Sequence, residues 1–125
     1  MVAKAFDVEI EGVVDPVVIT MKHAALVEAD AGKMANVSAN KTVGLTVDGG
    51  KFDGQLVVIN EKEGICSLKL SGVMEAVYSG AAPGTGRVKF LTDAAGGVKV
   101  DAVNGEEYLV LSVDAASTTV WFIKK

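Results

Sequence analysis

The sequence is poor in the residues that most often carry chemistry. It has one cysteine, Cys66, and one histidine, His23. A single cysteine cannot close an intrachain disulfide, and a lone histidine cannot build a histidine-rich zinc site. Arg87 is the only arginine, the lysines stand singly until Lys124 and Lys125, and the formal net charge is −4. Sequence-independent binding of nucleic acid needs clustered Lys and Arg to release counterions from phosphates, so no nucleic-acid partner is expected. No apolar run is long enough to span a bilayer, and residues 1–10 alternate like a strand rather than forming the apolar heart of a signal peptide. The expectation is a cytoplasmic product with no membrane partner.

Prolines number only two, and aromatics make up 6% of a chain that is half hydrophobic. The apolar content is mostly valine and alanine. Valine is stiff at its first side-chain torsion and suits a pleated surface, so the bias favours strands. Fourteen glycines in 125 residues suit frequent tight turns. No helical period is sustained; residues 21–34 come nearest, and they also fit two short strands.

Residues 64–80 anchor the reading. Cys66, Leu68 and Leu70 alternate with Ser67, Lys69 and Ser71, the period of a half-buried strand. Gly72 interrupts the pattern before a second apolar run over residues 73–78, and such a glycine marks a bend where a strand can pass from one sheet to another. Residues 52–60 are the natural hairpin partner, joined by the polar turn at 61–64. Upstream, strands are expected at 5–11, 17–21, 24–28, 37–40 and 42–47, with turns at Asp15-Pro16, Asp30-Ala31-Gly32 and Asp48-Gly49-Gly50. Downstream, they are expected at 87–92, 98–103, 108–113 and 118–123. Asn104-Gly105 reads as a type I′ hairpin turn, which wants positive φ at both positions. The sum is one all-β domain over 1–125, a small barrel-like or sandwich fold of about ten short, mostly antiparallel strands, with no linker and no internal repeat.

Candidate motifs mostly resolve into architecture. Residues 81–87 come nearest to a phosphate-cradling loop, but Ala81, Arg87 and Val88 occupy three of its four fixed positions, and a strand pattern follows instead of a helix. Asn36-Val37-Ser38 and Asn40-Lys41-Thr42 fit the glycosylation acceptor pattern and are read as chance matches. His23 is read as a hydrogen-bonded surface residue, and Cys66 as a small apolar core residue. Asp7, Glu9 and Glu11 share one strand face. Carboxylates two apart on a strand lie roughly 7 Å from each other, too far to chelate one ion unaided, so a solvated acidic face is expected. Trp121 and Phe122 are adjacent and must point to opposite faces: one belongs to the core, the other to surface or interface. No pair or triad has the residue types for acid–base or nucleophilic work, so neither an enzyme nor a cofactor nor a metal site is expected.

In order, residues 10–16 (Ile-Glu-Gly-Val-Val-Asp-Pro), 30–33 (Asp-Ala-Gly-Lys), 52–54 (Phe-Asp-Gly), 70–73 (Leu-Ser-Gly-Val), 78–84 (Tyr-Ser-Gly-Ala-Ala-Pro-Gly), 96–100 (Gly-Gly-Val-Lys-Val) and 108–110 (Tyr-Leu-Val) make a running pattern. It resembles the head-decoration (cement) proteins of tailed bacteriophages and prophages over nearly the whole chain. The resemblance implies a compact β-barrel-like domain without catalytic residues. It also implies a virion protein on the outside of the mature capsid, which it would stabilise against DNA pressure. The partners would be the major capsid protein and the chain itself, as a homotrimer assembled on the shell. The candidate capsid contacts are Phe6, Val8, Ile10 and Trp121, with residues 1–11 as an arm whose strand 5–11 pairs with a capsid strand. A small-ligand-binding barrel and a tail or connector protein are the alternatives.

Overall fold

The computed structural model describes residues 16–124. Nine strands follow one another: β1 Val17–His23, β2 Met34–Ala39, β3 Thr42–Leu45, β4 Gly54–Asn60, β5 Ile65–Ser79, β6 Gly86–Thr92, β7 Val98–Val100, β8 Glu106–Asp114 and β9 Thr119–Lys124. The only helical element among the described residues is a 3-10 turn, Glu28–Asp30. The protein is all-β, as its composition predicts.

The strands close into two barrels that share β5. Its first half pairs with β4 and β1, and the circuit β1–β3–β2–β4–β5 returns to β1. Its second half pairs with β9 and β7, and the circuit β5–β7–β6–β8–β9 returns to β5. Each barrel has five strands joined in the same order, with its first and third strands parallel and every other neighbour antiparallel. The fold is therefore a tandem repeat in topology, which corrects the expectation of no internal repeat. It also resolves the choice between sandwich and barrel.

Gly72 is the passage between barrels. Ser71 pairs with Val17 at the start of β1, and Gly72 pairs with Lys124 at the end of β9. The residue holds φ +113°, and a side chain there would press on Pro16, whose Cα lies 3.1 Å from the Cβ position. Glycine meets both demands at once. The expected break in the strand at Gly72 is thus a change of sheet inside one continuous 15-residue strand.

Each barrel has its own core. Leu26, Ala35, Val43, Leu56, Ile59, Cys66 and Leu68 fill the first. Phe90, Tyr108, Phe122, Met74, Val98, Val110 and Val120 fill the second, which also receives Met34 and Phe52 from the first half of the chain. Phe52 stacks on Tyr108 at 5.3 Å and meets the Phe122 edge at 6.1 Å. Residues 46–53 thus act as a plug, and Thr92, fully buried, fastens it: its hydroxyl meets the carbonyls of Val47 (2.6 Å) and Gly50 (3.0 Å). The backbone closes the same joint, through Gly49 N–H to Thr92 O and Thr92 N–H to Gly50 O, both 2.8 Å.

Two local expectations are corrected. Residues 24–28 form no strand. His23 Nδ1 accepts the Leu26 N–H at 3.2 Å and Asp30 Oδ2 accepts the Val27 N–H at 3.0 Å, which curls the chain into the 3-10 turn. These bonds require the His23 tautomer with its proton on Nε2, which donates to Asn60 O at 3.1 Å. Asn104-Gly105 does not make a hairpin either. Neither residue has positive φ, and β7 and β8 flank β6 rather than pair with each other. Asp101 ends β7 early by accepting the N–H groups of Val103 and Asn104.

Removing the plug tests this arrangement. Phe52→Ala should cost about 3–5 kcal/mol in urea unfolding, the usual penalty for deleting a buried phenylalanine. Gly72→Val should destabilise by about 1–3 kcal/mol, because strained φ persists only where the surroundings over-determine it. A Gly72→Val protein as stable as the parent would show that β5 can change sheets without glycine.

Candidate functional site

Alternation along β5 buries Met74, Ala76 and Tyr78 and turns Val73, Glu75 and Val77 outward. On β9, Val120 and Phe122 are buried while Trp121 and Ile123 face out, half-buried. Phe122 is therefore the core member of the pair and Trp121 the outer one. On β8, Leu109 faces out at 43% exposure, between buried Tyr108 and Val110. Register aligns these positions across the strands. Val73 opposes Ile123, Ile123 opposes Leu109, and Leu109 opposes Arg87; the next row runs Glu75, Trp121, Ser112. The second barrel thus carries an outer apolar row, Val73–Ile123–Leu109, with Trp121 beside it and Arg87 next to Leu109 at one end.

The first barrel serves as an internal control. Matched on the bulge that both fourth strands carry, between Leu56 and Val58 on β4 and between Val110 and Ser112 on β8, it reads Val18–Lys69–Gln55 against Val73–Ile123–Leu109, and Thr20–Ser67–Val58 against Glu75–Trp121–Ser112. At those two rows the same topology closes with lysine, glutamine, serine and threonine beside two valines, so folding does not demand the apolar row of the second barrel; elsewhere the first barrel exposes Val17, Val37, Leu45, Val57 and Ile65. Exposed single hydrophobics need no explanation, but an aligned set around a tryptophan on a face the fold leaves unconstrained points to contact. Of the contact residues expected from the sequence, Trp121 lies in this set. Phe6, Val8 and Ile10, like the acidic Asp7, Glu9 and Glu11, lie outside the described residues.

A second feature lies at the seam. A groove of about 390 Å³ runs between Ala29, Ala31 and Lys33 on one wall and Glu75, Val77 and Ala95 on the other. Several of its polar groups are already engaged. Lys33 Nζ pairs with Asp30 Oδ1 at 2.9 Å. Asp93, 6% exposed, accepts the N–H groups of Ala95 and Gly97 on Oδ1 and the Ser79 hydroxyl on Oδ2. The turn at 93–97 was legible as a turn. Its meeting with residues 29–33 was not, because the two lie far apart in the chain and only barrel closure brings them together.

The remaining candidates serve structure. Asn36 donates to Lys51 O and accepts the Asp53 N–H, so its side chain braces the plug. Residues 81–85 lead into strand β6. Cys66 is buried, and burial pushes its thiol above the ordinary value. Burial likewise drives the Tyr108 phenol far up, helped by Glu106. Among the described residues no group of three or more His, Cys, Asp or Glu could hold a metal ion.

Asp30 carries a pH dependence. The Val27 N–H, then Lys33, hold its carboxyl below the ordinary value, so the native state binds this proton more weakly than the unfolded chain does. Its contribution is complete above the ordinary carboxylate range and fades as pH falls through the lowered native value. Asp30→Asn should cost about 1–3 kcal/mol at neutral pH, the scale of a hydrogen bond to a charged group. The gap between parent and variant in urea unfolding should narrow below about pH 4. A gap that stays constant to acid pH would remove Asp30 from the account. Compared with protein-family models and with curated proteins, the chain finds no match.

Proposed function

We propose that this protein is a structural component of a tailed-phage particle, a decoration (cement) protein that binds the outside of the mature head and braces neighbouring capsid subunits. The observation that carries this reading is the aligned outer row Val73–Ile123–Leu109 with Trp121, set on one of two topologically equivalent barrels whose twin carries Val18–Lys69–Gln55 and Ser67 there. The ordered resemblance of the sequence to phage decoration proteins supplies the partner. The charge of −4 and the single arginine favour a protein surface over nucleic acid.

The size of the face bears on how attachment works. A stable interface takes about 800 Å² from each partner, and one tryptophan with three aliphatic side chains supplies a fraction of that. Attachment then needs further contacts. Residues 1–11, with Phe6, Val8 and Ile10 on one side, are the natural source, as a strand added to a capsid sheet. Copies meeting on the shell, as a trimer, would add the rest. Weak contacts repeated over a whole shell sum to a large barrier against rupture.

Co-sedimentation with mature heads and with unexpanded procapsids of the source phage tests this. Saturable binding to mature heads at a fixed ratio to the major capsid protein is expected. Trp121→Ala should weaken it by about 2 kcal/mol or more, roughly thirty-fold, as for an interface hot spot. Deleting residues 1–11 should abolish it while the barrels stay folded. No binding to either particle, with the protein absent from purified virions, would overturn the reading and put small-ligand binding first, with the seam groove as its place.

A further inference from the structure

Asn104 is the only asparagine followed by glycine, and the fold uses the pair in a turn after β7. Packing demands the glycine: a Cβ at Gly105 would lie 2.5 Å from the Asp101 carbonyl oxygen and 2.8 Å from the Phe90 nitrogen. Asn104 is exposed, and its side-chain amide has no hydrogen-bond partner among the described residues. The structure therefore retains a dipeptide with a chemistry of its own. With no side chain on the following residue, the backbone nitrogen has an open path to the asparagine amide. We propose that Asn104–Gly105 is a latent deamidation site, kept unreacted in the folded protein by the turn that Asp101 closes.

The step needs only water and base. The Gly105 amide gives its proton to hydroxide, and its nitrogen forms a bond to Asn104 Cγ. The Cγ–Nδ2 bond breaks, and the leaving nitrogen takes a proton from water and departs as ammonia, which leaves a five-membered succinimide. Water then opens the ring at either carbonyl. One opening gives aspartate at position 104; the other gives isoaspartate, with the main chain running through the former side chain.

The folded turn holds the reacting nitrogen. Gly105 N–H donates to Asp101 O at 3.0 Å, so the proton that must leave is engaged. Asp101 Oδ1 accepts the Val103 N–H at 3.0 Å and the Asn104 N–H at 2.9 Å, which fixes the backbone on both sides of the amide. Those two N–H groups, Asn104 first, hold the Asp101 carboxyl below its ordinary value, so the latch is ionised at neutral and alkaline pH, where the attack runs. Attack then starts from the opened turn, and its rate follows the population of that opening. The change is one-way. Isoaspartate lengthens the main chain inside the turn and takes the Gly105 N–H out of line with Asp101 O. The same turn ties β7 to β6 through Asp101 N–H and Lys89 O at 3.0 Å, so modification loosens that edge.

Peptide mapping by mass spectrometry at mildly alkaline pH follows the conversion of amide to acid at each asparagine. In the urea-unfolded chain Asn104 should convert well ahead of Asn36, Asn40 and Asn60. In the folded parent it should convert at least about tenfold more slowly, with matching protection of the Gly105 amide in hydrogen exchange. Asp101→Ala should restore about tenfold or more of the lost rate, the scale of one hydrogen bond to a charged group, with unchanged circular dichroism. Asp101→Asn keeps an oxygen acceptor and should fall between the two. Equal rates in the folded and unfolded chains would overturn the proposal, as would a folded Asp101→Ala protein that reacts no faster than the parent. Should Asp101→Ala not fold, the parent alone decides: an unprotected Gly105 amide would remove the turn as guard. The measurements use the free protein and hold whatever it binds.

Discussion

A single strand has to satisfy two barrels. Along its 15 residues β5 has neighbours on both edges, and where a neighbouring strand is missing its backbone still needs partners. Over residues 72–77 one edge pairs with β9, while β7 reaches the other edge only at Tyr78 and Ser79. The gap is closed by side chains from the first barrel. Lys69 Nζ donates to Val73 O, and Gln55 Nε2 donates to Glu75 O at 2.6 Å and to Gly32 O at 2.9 Å. This explains a glutamine that is only 7% exposed at the start of a strand. It also explains Gly54 beside it, where any side chain would collide with the Lys69 carbonyl. An unpaired edge is a template for unwanted strands, and here it is covered within the chain.

That shared strand explains why the repeat escapes a reading of the sequence. Two copies set end to end would show a period; here the last strand of one unit runs into the first of the next, and Gly72 is the only punctuation. The loops also diverge in use. Residues 46–53 carry Phe52 into the neighbouring core, whereas the equivalent loop between β7 and β8 is a short turn held by Asp101. Most individual strands were legible, because alternation at 65–71, glycine at turns and the polar 61–64 hairpin are local signals. Pairing partners were not. Nothing near Asn104-Gly105 says that β6 lies between β7 and β8, since β7 has only three residues with which to compete for a neighbour.

The docking face shows the same division between local and long-range information. Alternation required that Trp121 and Phe122 separate, but residues 118–123 are apolar on both sides and could not choose. The choice was made by volume. Phe122 lies 5.3 Å from Tyr108 and 5.5 Å from Phe90, in an aromatic cluster that also holds Phe52. That cluster fills the second barrel with rings, so the interior space a small ligand would need is taken, and the larger indole is left for the outside.

Comparison of the twin barrels gives the functional argument its weight. In a lone domain an outer apolar row can be a by-product of strand propensity, because Val, Ile and Trp are good strand formers wherever they point. The first barrel, which exposes valines of its own, narrows that explanation only at the equivalent rows. It has the same connectivity and the same antiparallel frame, yet it places Ser67 where the second carries Trp121, and Lys69 and Gln55 where the second carries Ile123 and Leu109. Strand propensity therefore does not require apolar residues at these positions. The face they occupy borders Gly72, where Pro16 and Lys124 bring the two ends of the described chain together.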